Sequence, residues 1–472
     1  MAYQDLQAYL KALESAGKLH WIEQRVDPAW EVSAITRHTF DSYSWNDRPA
    51  LGFRRVGDCP VPLVIGVIGG SPAIYAHALS TTVEKIPEVW EQGQRRPIDP
   101  VLVKSGLCKE IILRGGDVDV LSLPQVVWTP SQDPGPYITA PVVITTDLET
   151  GRRNVGTYRV QMKAKTRVGL YVGGTQHAAK HIRQYEAAKK DMPVAIAIGM
   201  DPTIVLCSIS KFAYGTDELA VAGGLRGEAV PLVQCETVDL QVPANAEIVI
   251  EGVLRAGYRE PEGPFGEFSG YMSPGGQQPV IDVTCITRRK TPIFHSFLSQ
   301  MPPSESSCIR SLSRSAALCH HLRNVLGLPV KDVHFTEACG ASGMLVISMT
   351  KEYPEQVKEV AWGAWSLMNK EGKFTVVVDD DIDVRNPFQV EWAMGFRAQP
   401  ARDTFMVSGV VPSGVDPSTA PADIPQHDPR RRTGSKILID ATRKHPYPPA
   451  ARVPKEFIER AKKKWAEYGF KP

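Results

Sequence analysis

The chain has no long apolar run. Nothing approaches the ~20 residues that a membrane-spanning helix needs, and the nearest stretch, Val61 to Gly70, reads as a buried strand. It also lacks a charge of one sign: a formal net charge of +2 leaves no electrostatic footprint for nucleic acid or an anionic membrane. The eight cysteines (59, 108, 207, 235, 285, 308, 319 and 339) include no Cys-x-x-Cys pair. They read as reduced thiols, mostly buried as small hydrophobes in a cytoplasmic protein. The opening Met1-Ala-Tyr-Gln-Asp-Leu6 has neither a basic n-region nor an apolar h-region, so no signal peptide is expected. No Gly-x-Gly-x-x-Gly fingerprint marks a Rossmann dinucleotide site, and internal repeats are absent. The remainder has an ordinary globular composition, 43% hydrophobic and 22% charged, and its 472 residues suit two or three domains.

The pattern along the chain predicts a mixed α/β (α+β) protein. Leu6, Leu10 and Leu13 recur at helical spacing with Gly17 as a stop, and Asp27-Pro28 is expected to cap a second helix. With the strand at Val61 to Val67, these form a small α/β region over residues 1–105. Short β-rich segments follow: Pro141 to Asp147, Val155 to Lys163, Val194 to Ile198, Thr203 to Ser208 and Glu247 to Val253. They predict a β-barrel-like central domain over 106–310. Ser311 to Leu326 reads as one connecting helix (311–327). Strands at Lys331 to Phe335, Met344 to Thr350 and Phe374 to Val378 then alternate with the helical pattern Tyr353 to Met368, predicting a C-terminal α/β domain over 328–472. A last helix, Pro454 to Tyr468, carries Phe457, Ala461 and Trp465 on one face.

The chemistry concentrates in Glu260-Pro-Glu-Gly-Pro-Phe-Gly-Glu267, which packs three carboxylates into eight residues. Glu262 and Glu267 would point to opposite faces of a flat strand, but a turn at Gly263-Pro264 or Gly266 can bring them to one spot. Neighbouring carboxylates push their proton affinities apart, so one can remain a general acid while the other stays charged. Upstream, Arg159 in Arg152-Arg-Asn-Val-Gly-Thr-Tyr-Arg159 is a candidate carboxylate clamp or an edge-strand surface pair. Asn154 and Arg159 would serve one site only if the chain turns between them, with Gly156 as the candidate bulge. Gly173-Gly-Thr-Gln-His177 opens a helix whose N-terminus could approach a phosphate. His177 and His181 share a helix face, but Ala178 stands where a zinc-protease pattern needs Glu. Glu218 adds a carboxylate, and one Asn, one His and one Glu suit a hard divalent ion. Arg430-Arg-Arg-Thr-Gly-Ser-Lys436 has the wrong order for a P-loop. It reads as a basic surface loop or as a single lysine reaching a phosphate or flavin edge.

Taken together these segments resemble the UbiD-type decarboxylases, the 3-octaprenyl-4-hydroxybenzoate carboxy-lyase family. The resemblance is carried by Asn154-Val-Gly-Thr-Tyr-Arg159, Gln176-His177, Thr216-Asp-Glu218, Cys235-Glu-Thr-Val-Asp-Leu240, Glu262-Gly-Pro-Phe-Gly-Glu267, Pro400-Ala-Arg-Asp-Thr404 and Gly434-Ser-Lys436, in one order. It implies a split β-barrel that binds prenylated FMN. Asn154, His177 and Glu218 would ligate Mn²⁺ (or Mg²⁺) at the flavin phosphate, with K⁺ nearby. Val155, Arg159, Gln176 and Lys436 would join the cofactor site, and Arg159, Glu262 and Glu267 would form the catalytic network. The reaction implied is reversible loss of CO₂ from an aromatic, heteroaromatic or α,β-unsaturated carboxylic acid. Arg159 would hold the carboxylate, Glu267 would supply the proton, and Phe268 would line the substrate pocket. His295, Gln300 and Pro302 to Ser306 are further pocket candidates, whereas His181 has no family role. The resemblance also implies a homo-oligomer (dimer or hexamer) supplied with cofactor by a flavin prenyltransferase, with no nucleic-acid or membrane partner. Two rival readings are a metal-dependent hydrolase built on His177 and His181, and a non-catalytic subunit of a decarboxylase complex.

Overall fold

The computed structural model describes residues 3–419 and 433–470. Arg430, Arg431 and Arg432 of the basic segment lie outside them. Helix Leu6–Ser15 buries Leu6, Tyr9, Leu10 and Leu13, and the Asp5 side chain caps it by accepting from the Ala8 N–H. The second helix, Glu31–Ser42, starts later than Asp27-Pro28 predicts. Asp27 instead closes a turn by accepting from the Ala29 N–H, and Trp30 occupies the cap with no side-chain bond. The first sheet has the order Leu19–Val26, Ala50–Val56, Leu63–Ile65, Phe294–His295. Its last strand comes from the end of the central segment and pairs parallel to Leu63–Ile65. The N-terminal region is therefore completed by chain from more than 200 residues downstream.

The central sheet is antiparallel throughout. Its order is Tyr137–Ile138, Val160–Ala164, Arg167–Leu170, Gly276–Arg288, Ile248–Glu262, Met192–Ile198, Val142–Thr146, Arg153–Thr157, with Ile111–Arg114 also on Gly276–Arg288. Among the described residues the hydrogen-bonded strands follow one path, with Ile111–Arg114 as a branch. Two long strands, Ile248–Glu262 and Gly276–Arg288, form its spine and carry the acidic segment at one end. Thr203 to Ser208 is not a strand. It lies inside helix Pro202–Ile209, capped by Asp201, with every residue from Pro202 to Ser208 buried. An element buried on all sides shows no 3.6-residue periodicity, and the β-branched Thr-Ile-Val run then mimics a strand.

The connecting helix is Glu305–His320, six residues earlier than the sequence suggests, because Ser304 and Ser307 form a capping box. The third sheet has the order Val330–Phe335, Met344–Met349, Phe374–Asp379, Gly434–Ala441, Thr404–Val410. Helices Gln356–Leu367 and Pro387–Arg397 accompany it. The last helix, Lys455–Lys463, has no buried residue. Among the described residues no helix is long and apolar enough to cross a membrane.

Candidate active site

The chain leaves its ladder between strands Arg153–Thr157 and Val160–Ala164, at Tyr158 and Arg159, and not at Gly156. Gly156 stays paired with Val143 and has a different task. The Tyr158 ring lies across it so closely that a Cβ there would sit 2.5 Å from the hydroxyl. That fold-back lets the Tyr158 hydroxyl accept from Asn154 Nδ2 at 3.3 Å. With the chain so bent, the Arg159 guanidinium turns away from Asn154 and meets the acidic segment.

Glu262 ends its long strand, and Gly263 follows with φ +74°, a conformation that costs an L side chain strain. The Gly263 N–H donates to the Tyr137 hydroxyl at 3.1 Å. Phe265–Gly266 then pairs with Met272–Ser273, and the Glu267 N–H donates to the Tyr271 carbonyl. This hairpin reverses the facing problem of the odd spacing. Arg159 donates through Nε and Nη2 to the two oxygens of Glu262 at 2.9 and 3.0 Å, and through Nη1 to Glu267 at 2.8 Å. Nη2 also donates to the Ser273 hydroxyl at 3.1 Å. The guanidinium lies over the Tyr171 ring, 3.8 Å from its centroid, with Phe265 at 5.0 Å.

The electrostatics separate the partners. Burial disfavours charge on Arg159, but the bonds from Glu262 and the charge of Glu267 outweigh it, so its pKa is raised. Burial pushes the Glu267 carboxyl up despite Arg159 and a second cation, Arg310. Asp133 is carried up to about 6, mainly by burial, while it accepts from the Trp128 and Thr129 N–H groups. Tyr171, Ser273, Asp133 and Arg310 had no signal in the sequence: each is a single residue, brought in by strand pairing, helix docking or, for Asp133, a loop held by its own backbone.

The second cluster gathers around the Tyr158 hydroxyl, which bonds to Asn154 and, through the backbone, to Ala178 at the start of helix His177–Ala187. Glu218 opens helix Glu218–Arg226 and accepts from the Val155 N–H at 3.0 Å. Burial lifts its carboxyl to about 7. Among the described residues no cationic group lies within 4 Å of it, so this buried acid fits a bound cation. His177 is partly buried, which lowers its pKa. Asn154, His177 and Glu218 carry donor types suited to a hard or borderline divalent ion, and the His177 ring packs edge-on to Tyr214, 5.2 Å between centroids. His181 is buried, its Nδ1 is 2.9 Å from the Thr145 hydroxyl, burial takes it down to about 4, and its ring shares the Tyr214 ring with His177. Gln176 is exposed and its Oε1 accepts from the Gly173 N–H, closing the turn before the helix.

Lys436 lies in neither cluster. Its Nζ donates to the carbonyls of Met368 and Glu371 at 3.1 and 2.6 Å, and burial lowers it to about 8. The Glu371 carboxylate joins Lys211 and Arg314 at 3.1 and 2.9 Å, so this lysine belongs to a charged seam between central and C-terminal segments. Phe268 follows the acid and lies beneath Arg310. Gln300 packs against Gly266 and bonds to Thr129 at 3.4 Å, beside the acidic hairpin. His295 is fully buried in the N-terminal sheet, edge-on to Phe297, with neither ring nitrogen partnered. Ser304 caps the connecting helix, and Glu305 accepts from the N–H groups of Gly66, Ile68 and Gly69.

Comparison with known proteins matches three family models in chain order. They are the N-terminal (residues 10–92), Rift-related (101–302) and C-terminal (307–441) domains of 3-octaprenyl-4-hydroxybenzoate carboxy-lyase. Among solved structures, the UbiD-class enzyme HmfF from Pelotomaculum thermopropionicum in complex with FMN is 33% identical, covering 98% of this chain and 100% of that one, with a TM-score of 0.88. An evolved dimeric form of HmfF in complex with prFMN is 32% identical over the same shares, with a TM-score of 0.85. Vanillic acid decarboxylase of Sedimentibacter hydroxybenzoicus, in open form, is 28% identical over 99% of this chain and 100% of that one, also at 0.85. The matched models run through nearly the whole sequence, and the chain belongs to the UbiD family of carboxy-lyases.

Proposed function

We propose that this carboxy-lyase uses prenylated FMN to remove CO₂, reversibly, from an aromatic, heteroaromatic or α,β-unsaturated carboxylic acid. The observation that carries the reading is the Arg159 guanidinium held between Glu262 and Glu267. Prenylated FMN, when bound, supplies an electron sink for the density left as CO₂ departs. The rest falls to the chain's own side chains. Arg159 holds the substrate carboxylate, and the bidentate Glu262 fixes the guanidinium plane. Glu267, whose burial favours the protonated form, delivers a proton to the carbon that loses CO₂. Asn154, His177 and Glu218 hold Mn²⁺ or Mg²⁺ at the cofactor phosphate, with Val155 fixing the Glu218 carboxylate. K⁺, Gln176 and Lys436 complete the cofactor site in this reading, and Phe268 borders the substrate.

Support comes from the complexes of HmfF with FMN and with prFMN, and from the vanillic acid decarboxylase, which share the fold over the whole chain. The domain limits proposed are 1–105, 106–310, 311–327 and 328–472. We also propose a homo-oligomer, dimer or hexamer, and cofactor supply by a flavin prenyltransferase. Co-expression with such an enzyme should yield protein with a flavin-like spectrum and bound Mn²⁺. Glu218→Ala should lose most of both, measured by absorbance and elemental analysis. Unchanged flavin and metal content in that variant would remove Glu218 from the site.

A further inference from the structure

One side chain touches both sides of the corner that separates the two glutamates. Tyr137 is fully buried, and its hydroxyl accepts from the Gly263 N–H at 3.1 Å. Its ring packs on Phe265 with 4.4 Å between centroids. Gly263 follows Glu262, and Phe265 stands two residues before Glu267 with its own ring 5.0 Å from the Arg159 guanidinium. Tyr137 is itself held from three directions. Its N–H donates to the Val126 carbonyl at 3.1 Å, and its carbonyl accepts from Trp128 Nε1 at 3.1 Å. Its strand pairs with Val160–Ala164, which begins directly after Arg159.

A hydroxyl that accepts from Gly263 still has one hydrogen to give, and the buried Glu262 is the carboxylate beside it. Burial and then the Glu262 charge raise the Tyr137 pKa, so that hydrogen stays on the oxygen. We propose that Tyr137 is a positioning residue for the reaction: its hydroxyl locks the Glu262–Gly263 corner and its ring seats Phe265, so that Glu267 is held against Arg159 Nη1. This rests on the decarboxylase reading, in which Glu267 is the proton donor. Apart from burial, the charged groups that face Glu267 are Arg159 and Arg310, which lower its proton affinity, and Glu262, which raises it. Asp133 acts on Arg159, and Tyr171 lies against Arg159 and Glu267 alike. Without the Tyr137 hydroxyl the corner is released, Glu267 loses part of its contact with Nη1, and its proton affinity rises.

The test follows Glu267 in cofactor-loaded protein by pH-difference infrared spectroscopy, its carboxyl band being the one that Glu267→Gln removes. Tyr137→Phe, which keeps the ring, should raise the midpoint of that band by about one pH unit, the scale of one hydrogen bond. Tyr75→Phe removes another buried tyrosine hydroxyl, the partner of Trp90 Nε1 at 3.0 Å in helix Pro72–Ala78, and should leave the midpoint where it is. An unchanged or lowered midpoint in Tyr137→Phe overturns the proposal. So does an equal rise in Tyr75→Phe, which general loosening of the core would give. A wild-type midpoint at or below the ordinary 4.5 sinks the proton-donor assignment separately, because the shift between wild type and Tyr137→Phe still reads Tyr137.

Discussion

Arg159 distributes its five N–H donors unevenly. Nε and Nη2 are taken up by Glu262 and Ser273, while Nη1 gives one hydrogen to Glu267 and keeps the other uncommitted. In the proposed reaction an incoming carboxylate would meet the Nη1 edge, directly beside Glu267, and this would place the proposed proton donor next to the bond that breaks. Protonation of Glu267 relieves the crowding of two anions at that edge. Burial raises the Glu267 pKa above its ordinary 4.5, so the acid form persists to higher pH. Turnover should accordingly hold at low pH and fall as pH rises through that raised value. Glu267→Gln should lower turnover by about 10²–10⁴-fold, the usual share of a positioned general acid, and remove that alkaline limb. A kcat–pH profile checks both, and near wild-type turnover in the variant would reject the assignment. Arg159 and the Glu pair were legible together because the family resemblance joined them, whereas their spacing alone left Arg159 open between a clamp and a surface pair. Ser273 and Tyr171 were not, since nothing local distinguishes a serine or tyrosine that strand pairing will bring to a guanidinium.

At the scale of elements, the acidic hairpin turns an unfavourable spacing into a site. Gly263 is the pivot: its φ is +74°, and a Cβ there would approach Gly275 Cα at 3.3 Å and Arg159 Nη2 at 3.6 Å. Gly263→Ala should cost about 1–2 kcal/mol of stability from the left-handed conformation alone. It should also lower turnover more than substrate affinity, because the step displaced is the placing of Glu267. Thermal unfolding together with kcat and KM decides this; a variant with wild-type melting and kcat would show that the hairpin tolerates a side chain at its pivot. The sequence marked this turn through Gly and Pro, whose backbone preferences are local. It misread Pro202–Ile209 because full burial erases periodicity, and it placed a cap at Asp27 because turns and helix starts use the same side-chain bonds. The bend between Asn154 and Arg159 was foreseen as a need, but its position at Tyr158 depended on a ring folding over Gly156, a contact that spacing does not encode.

Distant parts of the molecule are tied together by buried carboxylates, bonded to backbone or to a cation, that no local pattern reveals. Glu305 binds the loop at Gly66 to Gly69 onto the connecting helix, and Arg48 meets Glu337 at 2.8 Å across the chain. The C-terminal helix is the exception. The sequence gives it an apolar stripe, yet Lys455–Lys463 buries nothing, and Phe457 and Trp465 remain 49% and 42% exposed. Ile458, Tyr468 and Phe470 are exposed with them. An apolar face that runs from this helix into the turns after it suits an interaction surface, and in the proposed homo-oligomer a second copy of the chain would occupy it. Deleting residues 454–472 removes no core side chain, so the shortened protein should keep its far-ultraviolet circular dichroism and its melting cooperativity. Light scattering after size exclusion should then give a smaller particle than the full chain forms. An unchanged number of subunits per particle would place the oligomer contact elsewhere, with helix Gln356–Leu367, which exposes Trp362 and Leu367, as the next surface to alter.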